Sequence, residues 1–227
     1  MLELASLVVD ETEHFWLLDK PVDVAVNDDA DHAGLISQFK GGFGLTQAHP
    51  VHRLDKATSG LLLVAKHAEA NAALSQAFQQ RAVDKRYLAV VRAKPGQKIK
   101  KKSGLIKGDM KPSRSGSWKL CSSHENPAIT RFVSFALGER RRLCWLKPST
   151  GKTHQLRVAM KALAAPIVGD QRYGSEPASR LHLHSAYLAF TLFGQHYAYY
   201  RWPASGEFFH CAEALEHNNK DVLLKSL

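Results

Sequence analysis

The chain has few cysteines and no long apolar run. Its 227 residues include only three cysteines, without a Cys-x-x-Cys pair: Cys121, Cys144 and Cys211. This number and spacing argue against a disulfide framework and against a cysteine zinc site. No apolar stretch approaches the roughly 20 residues of a membrane-spanning helix, and the N-terminus lacks the pattern of a signal peptide. We therefore expect a cytoplasmic protein without membrane attachment.

Signatures of several enzyme classes are also missing. The segment GKT at 151–153 would end a nucleotide-binding phosphate loop only if position 146 were glycine, and that residue is Leu146. The Gly-x-Ser-x-Gly pattern of α/β-hydrolases does not occur. His182 and His184 would project from one face of a strand, but no carboxylate or cysteine pattern accompanies them. Packing or RNA contact therefore explains these histidines better than a metal site.

Positive charge is concentrated in one segment. Residues 92–119 hold 10 Lys or Arg and one Asp or Glu, which accounts for +9 of the net charge of +10. The segment includes the consecutive lysines Lys100, Lys101 and Lys102, and a second basic cluster, GERRR, follows at 138–142. Such local charge is typical of a polyanion-binding surface, while a solvated loop that aids solubility is the alternative. The second cluster favours nucleic acid.

The hydrophobic pattern predicts strands and helices in an irregular order. Strands are expected in LASLVVD, HFWLLDK, GLLLVAK, KRYLAVVRA, AITRFVSFAL, RRLCWLK, LHLHSAYLAFTLF and HYAYYRW, with hairpins in SGLIKGD and GSWKLC. Helices are expected in HAGLISQFKGG, where Gly41 and Gly42 would end the helix, and in EANAALSQAFQQRA, THQLRVAMKALA and EFFHCAEALEH. Because strands and helices do not alternate regularly, the pattern favours an α+β fold with a large, mainly antiparallel sheet.

Three polar residues lie on or beside apolar elements. Asp55 precedes the LLLVA strand, Tyr87 lies within KRYLAVV, and Arg157 lies on the helix whose start is marked by Ser149, Thr150 and Thr153. An ionised aspartate oriented by a guanidinium can act as a nucleophile or a base. Alternatively, Asp55 caps a turn and pairs with a neighbouring cation, and Tyr87 belongs to the core. The start of the 153–164 helix, with Lys152, His154 and Arg157, also suits a phosphate.

Four ordered segments carry a family resemblance. They are HRLDKATSGLLLVAK (52–66), KRYLAVV (85–91), TGKTHQLRVAMKALAAPIVGDQRYG (150–174) and LHLHSAYLAF (181–190). In this order and separation they resemble the RluA family of RNA pseudouridine synthases, over residues 8 to 209. The resemblance implies the pseudouridine synthase catalytic fold, with a mixed, largely antiparallel sheet in two halves flanking an active-site cleft, and peripheral helices. It also implies isomerisation of a chosen uridine in ribosomal or transfer RNA, without an organic cofactor or a required metal.

The resemblance also implies roles for individual residues. Asp55 matches the catalytic aspartate of the family, and Arg157 matches the basic residue that pairs with it. Tyr87 matches the tyrosine that stacks on the target base and is suspected in deprotonation at C5. Leu156 would form an apolar wall of the same pocket, and Arg53 matches the arginine that enters the space left by the flipped nucleotide.

The sequence departs from the family pattern at three places. Val22 and Asp23 follow Lys20-Pro21, where relatives usually have a small residue and glycine; Lys152 replaces the arginine before THQ; and Ala159 replaces a histidine. None of these changes removes a catalytic group, although Lys cannot reproduce the bidentate phosphate contact of Arg. The motifs begin almost at Met1, so we expect one catalytic domain over 1–227, without a separate N-terminal RNA-binding domain, acting as a monomer. The alternative is a non-catalytic RNA-binding or ribosome-assembly protein that has kept the fold.

Overall fold

The computed structural model describes residues 3–97, 102–174 and 176–210. These residues form two compact units. The first unit comprises residues up to 85 together with 184–202, and the second comprises 86–183 together with the described residues from 203 onwards. The prediction of a single domain over 1–227 stays a prediction.

Within the described residues, three helices of eight or more residues and twelve strands are distributed over the two units. In chain order they are β1 (Val8–Glu11), β2 (Phe15–Lys20), α1 (Leu35–Phe43), β3 (His49–Pro50), β4 (Ser59–Ala65), α2 (Ala68–Gln79), β5 (Asp84–Arg92), β6 (Ser103–Gly108), β7 (Met110–Pro112), β8 (Trp118–Leu120), β9 (Ala128–Gly138), β10 (Arg141–Pro148), α3 (Gln155–Ala162), β11 (Leu183–Leu192) and β12 (Gln195–Tyr200). Short 3₁₀ turns cover Leu4–Leu7 and Arg114–Gly116. No helix in these described ranges is both long and apolar enough to cross a membrane.

The first unit places β4 at the centre of its sheet. Its strands lie in the order β1, β2, β4, β11, with β3 pairing with β4 and β12 with β11. Every residue of β4 is buried, because its successive side chains pack on opposite faces of the sheet. Leu61 packs in a cluster with residues of α2, and the next residue, Leu62, packs in a cluster with residues of α1. Burial on both faces explains why GLLLVAK is continuously apolar rather than alternating.

Glycine is required where β4 and β11 run parallel. Ser59 and Gly60 pair with His184 and Ser185, whereas the other strand pairs of this unit are antiparallel in the described residues. A Cβ at Gly60 would lie 2.3 Å from the Ser185 carbonyl oxygen, and its φ of 106° is unfavourable for other residues. The backbone of β11 can approach the start of β4 only because position 60 carries no side chain.

The second unit is an antiparallel arrangement. Its strands lie in the order β5, β10, β9, β6, and β7 and β8 form a separate hairpin. The β9–β10 hairpin turns at Glu139 and Arg140, whose φ values of 46° and 61° are those of the tight turns that match strand twist. The predicted α+β class with a mixed, mainly antiparallel sheet is confirmed in the described residues. The predicted active-site cleft stays a prediction.

Three local predictions need correction. The first helix does not stop at Gly41 and Gly42 but continues to Phe43, where Gly44 takes the left-handed conformation and its N–H bonds back to the Gly41 carbonyl. The first half of LASLVVD is a 3₁₀ turn rather than a strand. The SGLIKG strand pairs with β9 instead of closing a local hairpin. Residues 207–210 are helical, and the rest of the predicted C-terminal helix lies outside the described residues.

Candidate active site

Asp55 lies in a tight turn directly before β4. The Thr58 N–H donates to the Asp55 carbonyl oxygen at 2.9 Å, which closes the four-residue turn. Thr58 is buried and Asp55 is half-buried, whereas Arg53 and Lys56 are exposed. The turn is therefore attached to a buried strand, and the exposed Arg53 and Lys56 flank Asp55 in the sequence.

A buried ammonium group supports this turn. Lys20, at the end of β2, is fully buried, and its Nζ donates to the carbonyl oxygens of Pro21 and Val24 at 2.7 Å and of Lys56 at 3.0 Å. A buried charge is tolerable only when it is hydrogen-bonded in this way. Lys20 thereby ties the end of β2 to the residue that follows Asp55. Sequence analysis did not single it out.

The departure at Val22-Asp23 has a local explanation. Asp23 has a φ of 60°, in the left-handed region that favours glycine. Aspartate tolerates this region better than most residues do. The backbone conformation is thus one that the glycine expected from the family resemblance would also adopt.

His52, the first residue of HRLD, is held as a neutral ring. Its Nε2 accepts the Leu63 N–H at 3.0 Å, and the ring stacks on Phe78 with a centroid distance of 4.7 Å. Burial, assisted by the positive charge of Lys85, lowers the pKa of His52 to about 3. The N–H from Leu63 requires the same unprotonated Nε2. The HRLD segment is therefore fastened to β4 by a neutral histidine.

We expect His52 to make stability depend on pH. An unfolded histidine takes up a proton below about pH 6.5, whereas folded His52 stays neutral down to about pH 3. The contribution of His52 to the free energy of unfolding is therefore complete above about pH 6.5 and decreases as the pH falls. Between about pH 7.5 and about pH 5, the free energy of unfolding in urea should fall by about 1 to 2 kcal/mol more in wild type than in His52→Gln. The Gln amide oxygen can still accept the Leu63 N–H. Equal losses in both proteins would contradict this prediction.

Tyr87 lies on β5 in the second unit. It stands opposite Leu146 of β10, and it is half-buried between the buried neighbours Arg86 and Leu88. In a strand, successive side chains point to opposite faces, so Tyr87 projects from the face opposite to that of Arg86 and Leu88. Its position is consistent with the sequence prediction of a tyrosine in an apolar strand.

Arg157 is held on α3 by a carboxylate that sequence analysis missed. Its Nε and Nη2 donate to the two oxygens of Asp170 at 2.8 and 2.9 Å, in a bidentate pair. The Asp170 side chain is 0% exposed, and Oδ1 also accepts the backbone N–H groups of Arg172 and Tyr173, both at 3.1 Å. Asp170 lies in the GDQRYG part of the third motif, but spacing alone did not assign it a partner.

Tyr173 forms the other side of this arrangement. The Arg157 guanidinium carbon lies 5.1 Å from the centroid of its ring, within the range of a cation–π contact. Its hydroxyl oxygen accepts the Trp118 N–H at 3.1 Å and bonds to His154 Nδ1 at 2.9 Å. Burial raises the pKa of Tyr173, so the hydroxyl stays protonated. Arg157 therefore lies between a buried carboxylate and a fixed aromatic ring.

The start of α3 differs from the sequence prediction. Ser149, Thr150 and Thr153 were expected to mark it, but the cap is His154, in the left-handed conformation with a φ of 57° and without a side-chain cap bond. The side chain of Gln155 stabilises the start of α3 instead. Its Oε1 accepts the Lys152 N–H at 3.1 Å and the Thr150 hydroxyl at 2.7 Å, and its Nε2 donates to the Ile129 carbonyl at 3.0 Å. Phosphate binding at this helix start stays a prediction.

The remaining site predictions have the following positions. Leu156 is buried on α3, Ala159 is buried on the same helix, and the half-buried Lys152 directs Nζ to the Asn126 carbonyl. Lys102 is exposed, while Lys100 and Lys101 lie outside the described residues. Arg53 and Asp55 thus belong to the first unit, and Tyr87, Arg157, Leu156, Lys152 and His154 to the second. The pairing of Asp55 with Arg157 stays a prediction.

His182 and His184 have structural partners. His184 Nδ1 bonds to Ser59 Oγ at 2.8 Å, and its Nε2 bonds to the Arg201 carbonyl at 3.1 Å. His182 is fully buried, its Nδ1 bonds to the Arg180 carbonyl at 3.0 Å, and burial lowers its pKa. Both ring nitrogens of His184 are thus engaged, which agrees with the packing interpretation rather than with a metal site.

Comparison with known proteins identifies the family. The RNA pseudouridylate synthase model matches residues 14–162. The chain is 43% identical over 204 residues to an uncharacterized RNA pseudouridine synthase of Haemophilus influenzae, covering 89% of both chains. It is 35% identical over 197 residues to the dual-specificity RNA pseudouridine synthase RluA of Salmonella typhi, covering 82% of this chain and 86% of the relative.

Two further matches extend this comparison. A ribosomal large subunit pseudouridine synthase C of Rickettsia typhi is 31% identical over 209 residues, covering 85% of this chain and 66% of the relative. Human RNA pseudouridylate synthase domain containing 1 superposes with a TM-score of 0.71 at 28% identity, covering 86% of this chain and 82% of that one. On these sequence and structural grounds, the chain belongs to the RluA family of RNA pseudouridine synthases.

Proposed function

We propose that this protein isomerises selected uridines in structured RNA to pseudouridine, with Asp55 as the nucleophile or base. The observation that carries the proposal is the family match over residues 14–162, which spans Asp55, Tyr87 and Arg157. The anchored turn at Asp55 supports it, because a catalytic group must be held within a narrow range of positions. The same matches favour an enzyme over a non-catalytic RNA-binding protein.

The reaction rearranges one nucleotide without net loss of atoms. The C1′–N1 glycosidic bond breaks, the uracil turns while it stays bound, and a C5–C1′ bond forms. C5 then loses its proton, and N1 gains one. Asp55 can attack C1′, add to C6 of the ring, or abstract a proton to open a glycal route, and all three routes use an ionised carboxylate.

The other residues take roles around the flipped nucleotide. Tyr87 would stack on the base and assist at C5, Arg157 would orient the Asp55 carboxylate, and Leu156 would supply an apolar wall. Extruding a base from RNA costs a few kcal/mol, which stacking and backbone contacts must offset. The exposed Arg53 is suited to enter the space that the nucleotide leaves.

RNA binding is supported by an exposed basic surface in the second unit. We call it the hairpin surface, and it consists of Lys111, Arg114 and Lys119 of the β7–β8 hairpin and the adjacent Arg172. Arg172 Nη1 donates to the Ser115 carbonyl at 3.0 Å, which joins the hairpin to the segment that holds Arg157. Concentrated exposed cations bind the phosphate backbone. Contacts by Lys100, Lys101, Lys102, Lys152 and His154 are proposed in addition.

Neutralising the hairpin surface is expected to flatten the salt dependence of RNA binding. Each phosphate contact contributes about 0.7 to 0.9 to the slope of log K against log salt, so Lys111→Gln, Arg114→Gln and Lys119→Gln together should lower the slope by about 2 to 3. Fluorescence anisotropy with a labelled RNA hairpin over a salt series measures this slope. The matched control is Lys40→Gln with Arg81→Gln in the first unit. An unchanged slope in the triple variant would exclude the hairpin from the RNA interface.

The decisive test is a map of pseudouridine in cells with and without the protein. Carbodiimide-dependent reverse-transcription stops should disappear at one or a few uridines in the deletion strain and return with the wild-type gene. We propose ribosomal or transfer RNA as the target, since related proteins are named for the ribosomal large subunit or for dual specificity. An unchanged map would favour the RNA-binding alternative.

Three further predictions accompany this function. The proposed chemistry uses protein side chains, so we expect activity without an organic cofactor or metal. We also expect a monomer located in the cytoplasm. Activity that is lost in a chelator and restored by a divalent metal would contradict the first of these predictions.

A further inference from the structure

The carboxylate of Asp170 has two kinds of partner. It accepts two backbone N–H groups, from Arg172 and Tyr173, and it forms the bidentate pair with Arg157. We propose that Asp170 is a positioning residue, which fixes the Arg157 guanidinium in the orientation that uridine isomerisation requires. This inference rests on the proposed function, in which Arg157 orients the catalytic carboxylate.

Stability alone does not account for this ion pair. The Asp170 side chain is 0% exposed and that of Arg157 is 10% exposed. Removing two charges from water costs as much as their attraction returns, so well-packed apolar residues would stabilise the fold equally well. An apolar pair, however, cannot fix the orientation of a guanidinium group. A bidentate contact fixes both the plane of the guanidinium and its rotation within that plane.

Tyr173 supplies a second constraint on the same group. Its ring lies against the guanidinium, and its backbone N–H donates to Asp170, so one residue contacts both members of the pair. The ring is itself held by the Trp118 N–H and by His154, the cap residue of α3. The guanidinium is therefore held at one edge by Asp170, and it lies over the ring of Tyr173.

The pair engages one edge of the guanidinium. Nε and Nη2 each donate one N–H to Asp170, whereas a guanidinium carries five N–H groups in a rigid fork. Fixing this edge also fixes the directions in which the other N–H groups point. Asparagine at position 170 would present an amide N–H₂ to the guanidinium, and the bidentate contact would be lost.

A double-mutant cycle tests this inference. The variants are Asp170→Asn, Arg157→Met and the double variant, and the probe is a transcript containing a uridine located by the modification map. We expect Asp170→Asn to lower kcat about 10- to 100-fold with KM for the transcript within about twofold. In the Arg157→Met background the same change should alter kcat by less than about twofold, because Asp170 acts only through Arg157. A further loss in that background, or an unchanged kcat for Asp170→Asn alone, would overturn the inference.

Folding and orientation need separate readouts. Arg157→Met leaves a buried carboxylate unpaired, so the double variant, which removes both charges, is expected to melt at a higher temperature than Arg157→Met. The matched control is Asp109→Asn, since Asp109 is also buried and accepts two backbone N–H groups, from Glu125 and Asn126, without contacting Arg157 in the described structure. It should lower the melting temperature without lowering kcat more than about twofold. A loss of kcat in the control equal to that in Asp170→Asn would reduce Asp170 to a structural residue.

A spectroscopic measurement separates this inference from the proposed function. In protein labelled with ¹⁵N-arginine, the Arg157 Nε–H resonance should be shifted and protected from exchange, and Asp170→Asn should remove that protection. If wild type forms no pseudouridine but the resonance behaves as stated, the proposed function fails and the orientation of Arg157 by Asp170 stands. If wild type is active and the resonance is unprotected, the proposed function stands and the positioning role fails.

Discussion

Replacement of Asp55 by asparagine is expected to abolish pseudouridine formation while the protein stays folded and binds RNA. The amide has the shape of the carboxylate but carries no negative charge and neither attacks carbon nor accepts a proton. The turn should persist, because Thr58 donates to the Asp55 backbone carbonyl rather than to the side chain. We expect the rate to fall at least about a thousandfold, as for other catalytic groups. Tritium release from RNA labelled at C5 of uridine measures the loss.

The matched control for this substitution is Asp29→Asn. Asp29 is a carboxylate of the first unit that pairs with the exposed Lys56 at 3.2 Å, and the proposed chemistry does not use it. Its replacement should leave the rate within about threefold of wild type, since exposed ion pairs contribute little. Substantial tritium release by Asp55→Asn, at normal RNA affinity, would remove Asp55 from the mechanism.

Replacement of Lys20 by methionine is expected to destabilise the protein strongly. Methionine nearly fills the same space but leaves the carbonyl groups of Pro21, Val24 and Lys56 without their present donor. Buried unsatisfied acceptors cost about 1 to 3 kcal/mol each, and partial access of water lowers the sum, so we expect the free energy of unfolding to fall by about 2 to 4 kcal/mol. Urea unfolding monitored by tryptophan fluorescence measures this difference.

An exposed lysine provides the comparison for Lys20. Lys94→Met removes the same ammonium group from the surface, and surface substitutions of this kind change stability by less than about 0.5 kcal/mol. Equal stability of Lys20→Met and wild type would show that the three carbonyl groups find other donors. In that case the hydrogen bonds by which Lys20 joins β2 to the Asp55 turn would not contribute to the stability of the fold.

Sequence patterns predicted elements well where the determining contacts are local. The strands β9 and β10 were located from the apolar runs AITRFVSFAL and RRLCWLK, and α2 from the helical pattern of EANAALSQAFQQRA. The end of α1 was placed too early, because Gly41 and Gly42 are tolerated inside the helix and the left-handed Gly44 ends it. The partner of β6 was also missed. β9 begins 20 residues after β6 ends, and periodicity holds no information on such pairing.

The site shows the same division between local and distant contacts. Asp55, Tyr87 and Arg157 were identified from the words HRLD, KRY and HQLR, which are recognisable without any structure. Asp170 and Lys20 were passed over because their importance depends on partners 13 and 36 residues away. Likewise, the serine and threonines before α3 were expected to cap it, whereas Gln155 of the helix itself stabilises its start.

By itself, the sequence determined the family and the reaction class and gave the basis for proposing the catalytic residues, because these depend on side-chain types in a short, ordered spacing. It also determined the α+β class, because burial imposes apolar periodicity on each strand and helix. Only the tertiary structure decided how these groups are held: the Asp55 turn by a buried lysine, and Arg157 by Asp170 and Tyr173. The physical reason is that a hydrogen bond depends on distance and direction between atoms, and the folded backbone alone sets both for residues far apart in the chain.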